Sequence, residues 1–528
     1  MRFLIFALTS FFILQNAYAI EHNPLIRIGI IQHFGKNSSS KLKIQPSDPY
    51  SRLELIFPRY PHTQDLNSFQ KQLVPSLEIT STYHPLKELQ TQPSKVIAGT
   101  YRTFETASYY SQVLKNKLPE LNWQVVYPDP WQVWATSQNP EETVRILKSN
   151  GFESAWIQES NLQKKVLGWE GDNLIGEKLP EQENSRKGSF KFHRSKLLVR
   201  NPSGLPIKVN GKTYPGSLEI IPDSFGNFSV VNEVRLEDYL RGVVPYEVGA
   251  DAPQSALETQ AILARTYTLA NLHRFLPENY QLCATQHCQV YEGLGAINPL
   301  IDRAIQNTRG IVLTNQAGQI AQVFYYSTDG GFTANYTDIW PSINEASVKQ
   351  LDGVSTCSNL PKGFNLSNED DLRVFLTSPE AKTWGCYDSV SPSFRWEKRI
   401  AKSELTQVMK KARDKWKFAW PEFNNIKNVQ IINRNQTGRA IKMLVESDKG
   451  IFYVDLDEIR TALGGLRSSM FVILRENANG TETLVIKGAG FGHGVGLSQF
   501  GARNLASKGL QHRQILGIYF PSYRLTQI

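Results

Sequence analysis

Beyond its first nineteen residues the 528-residue chain has no apolar run that could span a bilayer, whose core needs roughly 20 such residues. The opening run is itself too short. Arg2 precedes an apolar stretch from Phe3 to Leu14, and Ala17-Tyr18-Ala19 offers a small-x-small cleavage site. Residues 1–19 therefore read as a secretory signal. The mature chain is expected to be exported, to a periplasm, a cell envelope or the outside, with no transmembrane segment. Nucleotide signatures are missing too. The glycine run at 488–496 never meets the G-x-G-x-x-G spacing, and Gly211-Lys212-Thr213 has Pro206 where a P-loop needs its first glycine. The net charge is +9, yet there is no Lys/Arg block or recognition motif, which excludes nucleic acid as a partner. A basic exported protein meets anionic wall polymers or lipid surfaces instead. Cysteine is scarce: four residues, at 283, 288, 357 and 386, in a compartment that permits disulfides.

The chain that remains is long enough for two or three domains, and 41% hydrophobic content is enough to bury a core. Residues 20–94 read as an N-terminal extension with one core strand at Leu25–Ile31, amid loops. Residues 95–160 form a small α/β module. Strand patterns at 95–101, 123–134 and 155–157 alternate with helix patterns at 104–118 and 140–150, the second stopped by Gly151. The βαββαβ order and the Gly99-Thr100-Tyr101 start resemble the SPOR domain, which binds peptide-free glycan strands; an unrelated α/β spacer is the alternative. Residues 161–189, rich in Gly, Glu and Lys, read as a linker. From 190 to 528 short strands alternate with turns, Asn210-Gly211 being a hairpin signal. Helices are expected at 253–275, 300–308, 403–415 and 497–507. The fold class expected is α+β, with a largely antiparallel or mixed sheet, packed helices and the small N-terminal module.

Within the C-terminal region the stretch Gly242–Leu269 stands out. Apolar Val243, Val244 and Pro245 lead to Tyr246-Glu247, a Gly-Ala-Asp-Ala-Pro turn follows, and then a helix with Leu257, Ala261 and Ala264 on one face. A carboxylate in apolar surroundings has its charged form disfavoured, which suits a general acid; a solvated loop glutamate is the bland alternative. This stretch and Val231–Leu240 before it resemble the core of the stage II sporulation protein D (SpoIID/LytB) family of bacterial cell-wall proteins. Phe324–Thr333, followed by Asp338 and Trp340, is similar to the family's Ser-rich GG-x-T segment, and Gly488–Gly501 to its Gly-His-Gly-Val-Gly signature. Together the blocks cover roughly residues 195–528.

The resemblance implies a lytic transglycosylase acting on peptidoglycan glycan strands, with Glu247 as its acid. Most glycosidases need two carboxylates, because water must be activated. A transglycosylase manages with one, since the nucleophile is the substrate's own C6 hydroxyl, already tethered to the reacting sugar. Only Glu247 stands out; Glu237 and Asp238 read as surface or capping groups. Candidate substrate-binding residues are Tyr246, for stacking on a sugar, Ser327 and Thr328 beside Gly330 and Gly331, and His493 with Ser498 and Gln499. The glycines alternatively supply positive φ for a tight turn. The substrate form expected is a glycan strand stripped of peptide, selected by the SPOR-like module, so that deleting the module weakens binding but spares cleavage of short oligosaccharides. The alternative function is a non-catalytic glycan-binding enhancer of a cell-wall amidase, a role implied for other members.

Cys283-Ala-Thr-Gln-His287-Cys288 is the candidate metal segment, since thiolate and imidazole suit zinc and some family members carry zinc there. Those members add a histidine six residues before the first cysteine. Here Pro277 holds that place, and His273 is the nearest substitute. A structural zinc on Cys283, His287 and Cys288, a Cys283–Cys288 disulfide, and free thiols remain open. The chemistry itself needs no cofactor. Cys357 and Cys386 look like a disulfide closing a loop of about 30 residues, which would stabilise by about 3 kcal/mol on the loop-entropy model.

Overall fold

The computed structural model describes residues 23–36, 41–58, 69–85, 94–158, 163–170, 189–192, 197–342, 351–361, 363–379, 383–478 and 481–528. The signal at 1–19 lies outside these residues. The molecule is α+β, with largely antiparallel sheets and one long buried helix.

That helix, Gln254–Ala270, is buried without interruption from Ala256 to Thr268. Its threonines are satisfied locally: the hydroxyls of Thr259, Thr266 and Thr268 each donate to the carbonyl four residues earlier, at 2.7, 2.7 and 2.8 Å. Pro253 stands one residue outside the helix as its cap. Arg265 is fully buried and forms a two-pronged ion pair with Glu237, both N–O distances being 2.8 Å. Glu237 is therefore the internal partner of a core arginine, where the sequence reads it as a surface or capping group. The pairing locks the short helix Leu236–Arg241, which leads to Glu247, against the central helix.

A seven-stranded sheet covers this helical core. Its order is Leu282–Cys283, Leu25–Phe34, Phe228–Arg235, Ser217–Pro222, Leu197–Arg200, Leu53–Pro58 and Phe69–Val74. Asn210 and Gly211, both at positive φ, turn the hairpin that pairs Ile207 with Tyr214. The described part of segment 20–94 supplies five strands rather than one, and three of them, Leu25–Phe34, Lys41–Pro46 and Leu53–Pro58, pair with strands beyond residue 196. Part of the expected linker at 161–189 is also strand: Gln163–Glu170 pairs with Leu77–Pro85, and Ser189–Phe192 pairs with Gln163–Glu170. Its residues 171–188 lie outside the described ones. Local composition could not reveal these pairings, because the partners are distant in sequence.

Residues 94–158 follow the βαββαβ order, with a four-stranded sheet Gln124–Val126, Trp131–Ser137, Ser94–Tyr101, Trp156–Gln158. The module is packed tightly onto the rest. Glu105 pairs with buried Arg274, whose guanidinium also lies 4.4 Å from the Phe104 ring centre. His33 joins Asp223 at 2.9 Å and the Tyr127 carbonyl at 2.8 Å.

The C-terminal region contains a second body. The chain leaves the core after Tyr325–Tyr326 and returns at Leu497–Ser498, a strand pair in parallel register. Between them lie the sheets Arg395–Ala401/Thr481–Ala489/Phe471–Ala478 and Ile426–Arg434/Ala440–Ser447/Gly450–Asp455. The helix Lys402–Trp416 packs here too, over a separate apolar cluster that includes Leu405, Met409, Met443 and Phe471. The 190–528 region is thus a core interrupted by an insertion.

Candidate active site

Glu247 lies on a short helix, Val244–Val248, where the sequence leads one to expect irregular chain. Val243, Val244, Pro245 and Val248 are buried around it and Glu247 is half-buried. The Val290 amide donates to its Oε1 at 2.7 Å and Gln499 Nε2 to its Oε2 at 3.2 Å. The Tyr325 hydroxyl lies between this carboxyl and Gln289 Oε1, 2.8 Å away, and its one proton serves either of them in turn. Burial raises the Glu247 pKa above the ordinary value, and the hydrogen bonds from Val290, Gln499 and Tyr325 oppose it. Burial prevails, so the carboxyl holds its proton to higher pH than a solvated glutamate does.

Glu247 opens into a cavity of about 1030 Å³ with three walls. The core contributes Ser327, Gln499 and the segment Ala284–Cys288. The N-terminal module contributes Arg102–Glu105, Tyr127 and Asp129. The insertion contributes Lys415, Trp416, Asp457 and Arg460. Phe491, 47% exposed, offers an aromatic face beside His493.

Of the expected substrate-binding residues, Ser327, His493 and Gln499 line this cavity with Glu247. Tyr246 does not; it is 36% exposed, its hydroxyl close to Gly295. Thr328 is buried and pairs with Ser391 at 2.8 Å. Ser498 is buried, caps the helix Gln499–Ser507 and donates to the Ser327 carbonyl at 3.3 Å. Gly330 and Gly331 adopt φ of 78° and 110°, and a Cβ at Gly330 would stand 2.6 Å from that of Ala489. They serve the turn, as the alternative reading has it. Gly492 is similar: φ is 120°, and a Cβ would lie 2.7 Å from that of Tyr326. The other glycines of the run are packed as closely, against Trp396 at Gly488, the Thr328 carbonyl at Gly490, Arg439 at Gly494 and the Phe324 carbonyl at Gly496.

His493 is neutral, its pKa pushed down to about 3 by burial and by Arg460. Its Nδ1 accepts the Val495 amide at 3.1 Å, and the ring is also hydrogen-bonded to the Tyr325 backbone. It lies 5.0 Å from Trp340 and 5.2 Å from Tyr326, centre to centre. It ties the two ends of the insertion together.

Cys283 and Cys288 are joined as a disulfide. His287 Nε2 bonds the Tyr127 hydroxyl at 2.9 Å, and His273 packs beside Phe104. Among the described residues no three His, Cys, Asp or Glu side chains are grouped to hold a metal. The two sulfurs of the segment are thus bonded to each other. The segment borders the cavity and leads directly to the amide that binds Glu247. Cys357 and Cys386 are likewise joined, within the insertion.

Sequence reasoning missed Tyr325, Gln289, the Val290 amide, Arg102 and the Arg274–Glu105 pair. Tyr325 stood in a quoted motif block; a backbone amide leaves no mark in a sequence.

Fold and site define an α+β protein with a single raised-pKa carboxyl at the meeting point of three chain segments. Residues 224–315 match the family model described as Stage II sporulation protein, so this part of the chain is similar to the SpoIID family. Residues 334–496, close to the insertion, match a domain of unknown function. The chain is 28% identical over 364 residues to the Amidase enhancer of Bacillus subtilis (strain 168), covering 60% of this chain and 48% of that protein, about half its length. It is 25% identical over 364 residues to Stage II sporulation protein D of the same organism, covering 66% and 90%. An uncharacterized protein of Brachyspira hyodysenteriae is 26% identical over 323 residues, covering 59% and 72%. No helix among the described residues is long and apolar enough to cross a membrane.

Proposed function

We propose that this chain is a peptidoglycan lytic transglycosylase that cuts glycan strands, preferably free of peptide, in the remodelling of an exported cell wall. A cell-wall role at the coarser level is supported by the family and by relatives named for sporulation and amidase enhancement. One observation carries the finer reading: burial raises the pKa of Glu247, and the same carboxyl opens into a cavity wide enough for sugars. Its proton passes to the glycosidic oxygen as the C1–O bond of the muramic acid residue breaks. The C6 hydroxyl of that residue attacks C1 and closes a 1,6-anhydro ring. The Glu247 carboxylate accepts the C6 hydroxyl proton, which restores the acid. The neighbouring sugar leaves with a free hydroxyl, and no water is consumed. Val290, Gln499 and Tyr325 hold the carboxylate while it is charged.

The test is mass spectrometry of amidase-stripped strands after incubation. Fragments lighter by one water than hydrolysis products are expected. Glu247→Gln should fold normally and lower the rate at least about a hundredfold, the scale of general acid catalysis. Normal turnover by that variant would remove Glu247 from the chemistry. The amidase-enhancer relative favours a second reading, a glycan binder that assists an amidase without cutting. Intact strands, together with a faster amidase reaction, would decide for it.

A further inference from the structure

The wall opposite the core comes from the module and the insertion, and it is built as one piece. Thr100 Oγ1 donates to the Trp416 carbonyl at 2.7 Å. Arg102 reaches across to Asp457 Oδ2 at 2.7 Å, and Arg460 holds Asp457 Oδ1 at 3.0 Å. One carboxylate thus answers two guanidinium groups. Lys415 adds a third cation: it is exposed, borders the cavity, and forms no ion pair among the described residues. Its ammonium lies 5.1 Å from the Trp416 ring centre. Of the other acidic side chains of the cavity, Glu105 is paired with Arg274 and Glu292 with Lys212, while Asp129 accepts from the Tyr127 hydroxyl at 3.2 Å and keeps its charge. With Arg102, Arg460 and Lys415 set against Asp457 and Asp129, one positive charge is left over. The wall therefore presents a surplus of positive charge to whatever lies over Glu247.

A strand of alternating N-acetylglucosamine and N-acetylmuramic acid is neutral except at one group. The lactyl substituent of muramic acid ends in an amide while peptide is attached, and in a free carboxylate once the peptide has been removed. We propose that Lys415, with Arg102 beside it on the same wall, forms a subsite for the free lactyl carboxylate of a peptide-free muramic acid residue. This rests on the glycan-cleaving or glycan-binding reading above and adds the means of telling stripped from unstripped strands. The discrimination is electrostatic: a carboxylate gains a charge-assisted contact in a partly enclosed cleft, and an amide in its place does not. It lies with the module and insertion, not with the residues around the acid.

Binding should be measured by calorimetry on the full mature chain carrying Glu247→Gln, so that ligands stay intact. Three ligands suffice: stripped glycan oligomers, the same oligomers with peptide attached, and chitooligosaccharides without lactyl groups. The unaltered wall is expected to favour stripped oligomers over both others by about tenfold, a preference that shrinks with added salt. Lys415→Gln should bring the ratio down to about twofold, and Lys415→Arg should restore it. Lys415 is exposed, so thermal melting should be unchanged in both variants. A preference unaltered by Lys415→Gln, or equal loss on all three ligands, would overturn the subsite. If the parent binds none of the three, the glycan reading itself falls.

Discussion

At Glu247 two opposing influences meet on one carboxyl. Burial favours the acid form, while the Val290 amide, Gln499 and Tyr325 favour the carboxylate. A group that must first give and then take a proton needs both, since either alone would trap it in one state. The direction of a perturbation follows. Activity requires protonated Glu247, so the rate falls as pH rises through its pKa. Gln499 lowers that pKa. Gln499→Ala should therefore raise it and move the alkaline limb of the kcat/KM profile to higher pH. A limb that stays in place or moves down would show that Gln499 does not act on the carboxyl. His493 should contribute no limb between pH 5 and 8, being neutral throughout.

At the level of elements, the segment from Cys283 to Val290 ties a covalent link to Glu247. The disulfide closes a tight loop, and just beyond its second cysteine the Val290 amide meets Glu247. The protein is expected to have no titratable thiols at 283 and 288 and no stoichiometric zinc, read by thiol titration of the unfolded chain and by elemental analysis. One zinc per chain with two free thiols would replace the disulfide by a metal centre. Cys283→Ser with Cys288→Ser should lower stability by about 2 kcal/mol, in the usual range for a disulfide. It should also slow turnover, because Val290 would then be held less firmly. The Glu237–Arg265 pair acts similarly, fixing the helix before Glu247 to the central helix.

Across the whole molecule, the N-terminal module is part of the cleft. Reading 95–160 as a detachable glycan selector leads to the expectation that its loss spares cleavage of short oligosaccharides. The contacts argue otherwise. Removing 94–158 would take from Arg274 both Glu105 and the Phe104 ring and would uncover the core face beneath the module. It would also strip Arg102 from Asp457 and open one wall of the cavity. The deleted protein should melt far below the parent in circular dichroism and lose cleavage of short oligosaccharides as well as of strands. A stable, fully active deletion variant would return the module to the role of a spacer. Glu105→Ala should reproduce the loss of stability with the module still present.

The sequence by itself determined the α+β class, the central helix near 253–275, the hairpin at Asn210-Gly211 and the placing of Glu247 beside an apolar run. These are local properties, carried by periodicity, turn residues and neighbouring side chains. Family blocks added which carboxylate to watch. Only tertiary structure decided that Glu237 is internal, that the 20–94 strands belong to the main sheets, and that three remote segments wall one cavity. It also separated Ser327, His493 and Gln499, which border that cavity, from Tyr246, Thr328, Ser498, Gly330 and Gly331, which do not. The physical reason is common to all of these: burial, charge pairing and the carboxyl's raised pKa depend on atoms brought together from far along the chain, and no window of sequence contains them.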